Sequence, residues 1–243
     1  MSAARTLGGL GLAGRAHGGP APDPATPVTG LAVDSREVQQ GFVFVAVPGT
    51  RLDGAAFAQY AIRMGAVAVV ASEAGLETIR ADLGEPPVPV ILAEEPRAEL
   101  ARLAALWHGA QPAVMAAVTA TNGKTSVAQF LRRIWEAAGH PAAALGTLGV
   151  TGGRFEAPLA HTTPEPLTLH AVLARLAEQG CSHAVMEASS HGLAQHRVDG
   201  VRLAAAAVGA ITRDHMDYHP SHAAYVAAKL RLFGAVLPAG GAA

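Results

Sequence analysis

The chain has 243 residues, of which half are hydrophobic and 15% are charged, and its formal net charge is −1. This length suits one large domain or two modest ones. The near-zero charge, with no basic run or aromatic platform, argues against nucleic-acid binding. The single cysteine, Cys181, excludes an internal disulfide framework.

Two kinds of membrane-directed segment are also excluded. Glycine, proline or charge interrupts every apolar stretch before it reaches membrane-spanning length. The N-terminal segment 7–13 is only weakly apolar and contains three glycines, which is poor for a signal peptide. The composition therefore predicts a cytoplasmic protein without a membrane span.

The first half of the chain alternates apolar strands with helices. A Gly-, Pro- and Ala-rich stretch at 14–30 is predicted to be a loose lead-in. The predicted elements that follow are strands at 31–36, 41–47, 66–71 and 88–92, and helices at 55–64, 76–83 and 95–107. This alternation predicts an α/β fold with a parallel sheet. We place a domain boundary within 108–112, which divides the chain into domains 1–110 and 111–243.

The stretch Val114–Ser126 carries the strongest functional signal. An apolar run at 114–119 leads into Thr121-Asn-Gly-Lys-Thr-Ser126, and a helical pattern follows as far as Gly139. Strand, tight loop and helix form the context of a phosphate-binding loop, in which backbone N–H groups and a lysine face phosphates and a hydroxyl reaches Mg²⁺. Val118 stands where the strict P-loop pattern has its first glycine. A Gly-Lys-Thr that merely starts a helix therefore remains the alternative.

The second half repeats the alternation and delivers polar residues at strand ends. We predict strands at 142–145, 183–186 and 203–211, and helices at 167–179 and 221–233. Glu187 follows one strand, and Thr212–His215 follow another. In open α/β sheets ligands gather at the carboxyl ends of the strands, so chemistry is expected here.

Eight of the eleven histidines lie between His161 and His222, which raises the question of a transition-metal site. Neither H-E-x-x-H nor a Cys/His zinc spacing is present. A Mg²⁺ ion held by carboxylate, hydroxyl and phosphate oxygens fits better beside a nucleotide loop.

A series of motifs in chain order resembles the Mur ligases. It covers nearly the whole chain from about Val28. The motifs are Asp34-Ser-Arg36, Gly41–Ala46, Asp53-Gly54, Thr119–Ser126, His161–Glu165, Met186–Arg197, Thr212–His219 and Tyr225–Lys229. The resemblance implies an N-terminal α/β UDP-binding domain followed by an incomplete P-loop-type parallel-sheet ATPase domain, with the C-terminal amino-acid-binding domain absent.

The resemblance also implies an activity. The run Ser189–Arg197 is typical of the family members that add the third amino acid to UDP-N-acetylmuramoyl-L-alanyl-D-glutamate (UDP-MurNAc-L-Ala-D-Glu). They use ATP and Mg²⁺, pass through an acyl phosphate, and take diaminopimelate or lysine as the amino acid. We expect a monomeric fragment that is inactive by itself.

Residue roles follow from the resemblance alone. The UDP contacts would be Val33, Ser35, Thr50, Arg51 and Leu52. The dipeptide contacts would be His161, Thr162, Thr163, Ser189, Gln195 and Arg197. The ATP loop would comprise Thr119, Ala120, Thr121, Asn122, Gly123, Lys124, Thr125 and Ser126. The metal ligands would be Thr125, Glu187, His215 and Lys229, and the catalytic set Lys124, His215 and Lys229.

Lys229 would be carried as a carbamate, which turns a cation into an anionic metal ligand. Carbamate formation needs a neutral amine, and an ordinary lysine pKa of about 10.4 opposes it. Burial near cations lowers such a pKa. The alternative is an exposed helical lysine, with Glu187 and His215 as structural hydrogen-bonding residues.

Four residues depart from the family pattern, among them His161, which stands where the family usually has an asparagine. Alanine replaces glycine at Ala117 and Ala120, and Ala210 replaces an asparagine. If position 120 needs a positive φ, alanine costs about 1 kcal/mol or more.

Two other functions stay open as well. One alternative function is that of a sibling ligase of the folate-polyglutamylating or cyanophycin type. Such a ligase should lack the Asp34–Arg36 and Ser189–Arg197 motifs. The other alternative is a degenerate, non-catalytic UDP-sugar-binding module.

Overall fold

The computed structural model describes residues 5–49 and 52–243. The chain divides into two compact units, Met1–Trp107 and His108–Ala243. Two of the expected UDP contacts, Thr50 and Arg51, lie outside the described residues. The α/β fold class predicted from the alternation is confirmed in both units.

The N-terminal unit is a five-stranded sheet with helices. Four strands run parallel, and the first is antiparallel at the edge. The strands are β1 (Ala16–Gly18), β2 (Gly30–Ala32), β3 (Phe42–Val45), β4 (Ala68–Ala71) and β5 (Val90–Leu92), in the order β1-β5-β4-β3-β2. The helices are α1 (Ala58–Arg63), α2 (Glu73–Leu83) and α3 (Pro96–His108). The central strand β4 is buried at every position and β3 at all but its first residue, as expected for a parallel sheet covered on both faces.

Two predictions for this unit are corrected. The lead-in at 14–30 contains β1, and it is anchored because Arg15 and Arg102 both pair with the buried Glu99 at 2.6 and 2.7 Å. The predicted strand 31–36 ends at Ala32. Its polar end instead forms a 3-10 turn, because the Asp34 carboxylate accepts a hydrogen bond from the Arg36 N–H at 2.9 Å and so caps the turn.

The C-terminal unit is a second five-stranded sheet, parallel except for one hairpin. Its strands are β6 (Val114–Thr119), β7 (Ala142–Gly146), β8 (Gly149–Gly152), β9 (His183–Glu187) and β10 (Leu203–Val208), in the order β10-β6-β9-β7-β8. Its helices are α4 (Lys124–Ala137), α5 (Pro166–Glu178), α6 (Ser190–Ala194) and α7 (His222–Arg231). The buried side chains of α4 and α5 belong to two separate apolar clusters of this unit.

The structure also revises the predicted elements of this unit. The strand β8 and the helix α6 were not predicted, because neither Gly149–Gly152 nor Ser190–Ala194 contains an apolar run or a periodic apolar pattern. The predicted strand 203–211 ends at Val208, and the predicted helix 221–233 is α-helical only to Arg231 before a π turn. Within 5–49 and 52–243, no helix is long and apolar enough to cross a membrane.

Candidate functional site

The loop between β6 and α4 has the geometry of a phosphate-binding turn. The strand ends at Thr119, and the helix begins at Lys124 after Gly123, whose φ of +84° favours glycine. No side-chain cap satisfies the first N–H groups of α4. They are therefore left to bind an anion at the positive end of the helix dipole.

Ala120 does not need the positive φ that would make alanine costly at this position. Among the described residues other than glycine, only His196 and His215 have a positive φ. The side chain of Ala120 is buried against Gly209, where an added Cβ would come within 2.9 Å of the Ala120 Cβ. The cost that a positive φ at position 120 would have carried therefore does not arise, and the methyl group of Ala120 packs against a glycine opposite.

Two lysines converge on this loop. Lys124 Nζ donates to the carbonyl oxygens of Ala120 and Thr121, at 3.0 Å each, and Lys229 Nζ donates to Ala120 at 2.8 Å. Lys229 is 1% exposed. Burial first, and then the nearby charge of Lys124, lowers the pKa of Lys229 to about 8. The alternative of an exposed helical lysine is wrong.

Tyr225 connects the helix of Lys229 to the loop, and sequence reasoning assigned it no role. Its hydroxyl lies 2.9 Å from Thr121 Oγ1, which also accepts a hydrogen bond from Thr212 N at 2.9 Å. The Lys229 ammonium lies 4.7 Å from the centre of the buried Tyr225 ring. The signal was available, because residues four apart share one face of a helix.

Glu187 supplies a buried carboxylate at the end of β9. It accepts hydrogen bonds from Thr125 Oγ1 at 3.0 Å and from the Thr147 N–H at 2.9 Å. In the part of the chain that the structure describes, no ion pair involves this carboxylate. A carboxylate beside a hydroxyl is an oxygen pair that suits Mg²⁺.

Arg197 lies at the other side of the same cleft. It pairs with Glu165 at 2.7 Å, and it donates to the carbonyl of Thr163 at 2.9 Å and to Gln195 Oε1 at 2.6 Å. Ser189 caps α6 by accepting a hydrogen bond from Gly192 N. These contacts fix the position of a guanidinium, a group that is suited to binding a carboxylate or phosphate.

The cleft has a volume of about 480 Å³ and brings most of the expected residues together. Its lining residues are Thr121, Asn122, Gly123, Lys124, Thr125, Thr147, His161, Thr162, Thr163, Glu187, Ser189, His191, Arg197 and His215. Thr147 and His191 were not expected there. Five expected residues do not line it, namely Thr119, Ala120, Ser126, Gln195 and Lys229.

His215 stands at the rim, with φ +54° and a side chain that is 45% exposed. Its ring lies 4.8 Å from that of His191, whose pKa is lowered by burial first and then by the charges of His215 and His219. Among the residues that the structure describes, no group of three or more His, Cys, Asp or Glu side chains is placed to hold a metal ion. A metal here would thus depend on oxygen ligands beyond these side-chain types.

A separate cleft of about 610 Å³ lies at the carboxyl ends of β2 and β3 in the N-terminal unit. Its lining residues are Val33, Asp34, Ser35, Arg36, Val47, Leu52, Gly54, Phe57 and Tyr60. It brings together the expected residues Val33, Ser35 and Leu52. Phe57 and Tyr60 were missed, although two aromatic residues three apart directly after Asp53-Gly54 were a readable signal.

Both units match models of one protein family. Residues 27–108 match the model described as Mur ligase family, catalytic domain, and residues 118–243 match the Mur ligase middle domain. The second match alone covers more than half of the chain.

Individual proteins show the same likeness. The UDP-N-acetylmuramoyl-L-alanyl-D-glutamate--2,6-diaminopimelate ligase of Brucella melitensis is 54% identical over 213 residues, which are 88% of this chain and 42% of that protein. A solved structure of a ligase with the same name superimposes with a TM-score of 0.77 at 29% identity, covering 96% of this chain and 45% of that one. The MurF ligase of Thermotoga maritima, solved with ADP, shares the fold at 22% identity and a TM-score of 0.52, covering 83% and 42%. The chain thus spans less than half the length of these proteins.

Proposed function

The chain belongs to the Mur ligase family, and we propose that it supplies two parts of an ATP-dependent ligase that joins an amino acid to UDP-MurNAc-L-Ala-D-Glu. One observation carries the proposal. The loop residue Lys124 and the Thr125–Glu187 oxygen pair line the same cleft as Arg197. A nucleotide loop and a binding group for an anionic substrate therefore face one volume, as transfer of a phosphoryl group to a carboxylate requires.

Mur ligases use ATP and Mg²⁺, and the residues of this cleft fit both. Thr125 and Glu187 would hold the metal, because their oxygen atoms lie 3.0 Å apart and no Lys, Arg or His side chain of the described ranges forms an ion pair with the carboxylate. Lys124 would bind the β- and γ-phosphates. When bound, the ion neutralises the charge that two approaching anions develop.

The proposed reaction has two steps. The D-glutamyl carboxylate takes the γ-phosphoryl group, with ADP as the leaving group, and becomes an acyl phosphate. The neutral amine of the incoming amino acid then attacks the acyl carbon. A C–N bond forms, the C–O bond to phosphate breaks, and the amine gives up a proton. Arg197 would hold and orient the anionic substrate for both steps.

Lys229 is proposed to act as a carbamate. A pKa lowered to about 8 leaves far more neutral amine at pH 7–8 than an ordinary lysine has. Addition of CO₂ to that amine forms an N–C bond and releases a proton, which leaves an anion close to the loop. The test is incubation with ¹³C-bicarbonate, which should add one carbamate carbon signal to the parent spectrum and none to that of Lys229→Met.

The binding site of the uridine diphosphate group and the identity of the incoming amino acid are proposed from the similarity to other Mur ligases. The cleft of Val33, Ser35 and Leu52 would bind the uridine diphosphate, with Phe57 and Tyr60 as aromatic walls. The amino acid is proposed to be 2,6-diaminopimelate, because the Brucella melitensis relative and the solved ligase are named for it.

The experiment that tests the proposal is calorimetric titration of the folded chain with UDP-MurNAc-L-Ala-D-Glu. Saturable binding that weakens about tenfold or more in Arg197→Ala supports it. The matched control is Arg175→Ala on α5, which removes a guanidinium stacked on Phe155 and lies outside the cleft lining. A folded parent chain that does not bind the compound refutes the assignment, and equal loss in both variants refutes the role of Arg197.

A further inference from the structure

The short helix α6 ends in a turn that is unusual for its sequence. His196 has φ +58°, the N–H of Arg197 donates to the Gly192 carbonyl at 2.8 Å, and the N–H of His196 donates to the Leu193 carbonyl at 3.2 Å. This pair of bonds is the Schellman motif, whose left-handed position is usually glycine. A histidine at this position carries a backbone cost that glycine would avoid.

The side chain of His196 gives the reason for the histidine. Its Nδ1 lies 2.9 Å from Asp199 Oδ2 and 2.8 Å from Arg231 Nη2. Glycine has no group that makes either contact. The backbone cost at position 196 is therefore tied to a side-chain contact with the C-terminal end of α7.

Arg231 completes the contact from α7. Its guanidinium forms a two-point ion pair with Asp199, at 2.8 and 2.6 Å, and its Nη1 also donates to the Leu193 carbonyl at 3.1 Å. That carbonyl belongs to the last turn of α6, where carbonyl groups lack helical partners. Both ion-pair side chains are 22% exposed, so water screens the pair only in part. Arg231 lies two residues after Lys229 on the same helix.

The turn thus directs two neighbouring side chains to different places, that of Arg197 to the cleft and that of His196 to Asp199 and Arg231. Arg197 lines the cleft and pairs with Glu165, whereas His196 contacts Asp199 and Arg231, none of which lines the cleft. We propose that His196, Asp199 and Arg231 form a positioning cluster, which holds Arg197 at a fixed place relative to the helix of Lys229. The assignment rests on the proposed function, because it takes Arg197 as the group that binds the anionic substrate.

None of the three cluster side chains lines the cleft, so the cluster acts on binding only through the turn that carries Arg197. Loss of the cluster contacts lets the backbone of the turn at residues 196–197 move, and the less well positioned Arg197 then binds the UDP compound more weakly. The loop that precedes α4 keeps its own contacts with α7 through Tyr225 and Lys229. Within the described residues, the three cluster side chains form no hydrogen bond with that loop. Nucleotide affinity therefore serves as an internal standard.

The test compares the parent chain with His196→Gly, Asp199→Asn and Arg231→Lys. Each protein is titrated separately with UDP-MurNAc-L-Ala-D-Glu and with Mg²⁺ and the non-hydrolysable analogue AMP-PNP. We expect all three variants to bind the UDP compound about tenfold more weakly and the nucleotide within about twofold of the parent. The matched control is Glu136→Gln, which removes the partly buried ion pair with Arg132 on α4 and should leave the UDP affinity unchanged.

His196→Gly keeps the test decisive, since glycine is the favoured residue at its φ and the variant is expected to fold. If the parent binds and His196→Gly binds equally well, the cluster has no positioning role. Parallel loss of UDP and nucleotide affinity would mean a general structural role and overturns the inference as well. A folded parent that does not bind the UDP compound overturns the proposed function, and the inference falls with it.

Discussion

Lys124 and Lys229 donate hydrogen bonds to one oxygen atom, the carbonyl of Ala120, at 3.0 and 2.8 Å. Lys124 opens the helix after the loop, and Lys229 arrives from α7. Two ammonium groups at one carbonyl repel each other, and the buried one yields its proton more easily. This relationship joins the nucleotide loop to the residue proposed to carry a carbamate.

The first prediction concerns pH. Lys229 has a pKa lowered to about 8 in the native state, against about 10.4 in an unfolded chain. Between these values the unfolded state binds more protons, so the free energy of unfolding contributed by Lys229 rises with pH. Urea unfolding in CO₂-free buffer should show a rise from pH 7.5 to 10 that is about 2 kcal/mol larger in the parent than in Lys229→Met. This is less than the full pKa difference because pH 10 is still below the pKa of the unfolded chain. Equal slopes in the two proteins would mean that the amine is not shifted.

The second prediction concerns the phenol of Tyr225. Tyr225→Phe removes the hydrogen bond to Thr121 Oγ1 and keeps the ring over Lys229. The expected loss is about 1 kcal/mol in the free energy of unfolding, with weaker binding of AMP-PNP. Tyr218→Phe is the control for loss of a tyrosine hydroxyl, since Tyr218 bonds Gln195 and does not contact the loop. Nucleotide affinity that falls equally in both variants would contradict a specific link between α7 and the loop.

The third prediction concerns the packing of Ala120 on Gly209. A Cβ at position 209 would lie 2.9 Å from the Ala120 Cβ, so Gly209→Ala should cost about 1–3 kcal/mol of stability. Adding Ala120→Gly should restore most of that loss, because the two methyl groups then no longer meet. Chemical denaturation of the two single variants and the double variant measures the coupling. Additive effects would show that the two positions do not share space.

The pattern of apolar residues predicted the α/β class and the long elements, and β6 has the predicted bounds, Val114–Thr119. Three short elements without an apolar run were missed, namely β1, β8 and α6. Of the polar residues that line the C-terminal cleft, those of the loop, Glu187 and His215 were predicted from the strand–loop–helix pattern and the strand ends. The other expected residues were known only from the family resemblance, and Thr147 and His191 were missed.

The features that the sequence did not predict depend on contacts between residues that are distant in the chain. The burial of Lys229 depends on the Ala120 carbonyl, 109 residues away in the chain, which no local pattern reports. The left-handed turn at His196 and the negative φ of Ala120 likewise depend on contacts that only the folded chain makes.

The central claim is that the loop Thr119–Ser126, with Glu187, forms a magnesium-dependent nucleotide site. The most direct measurement is calorimetric titration of AMP-PNP into the folded chain, with and without Mg²⁺, for the parent, Lys124→Ala and Glu187→Gln. We predict saturable binding by the parent that needs Mg²⁺, near-complete loss in Lys124→Ala, and binding by Glu187→Gln that is weaker and no longer responds to Mg²⁺. Absence of binding by the folded parent, or binding that neither substitution alters, would contradict the account.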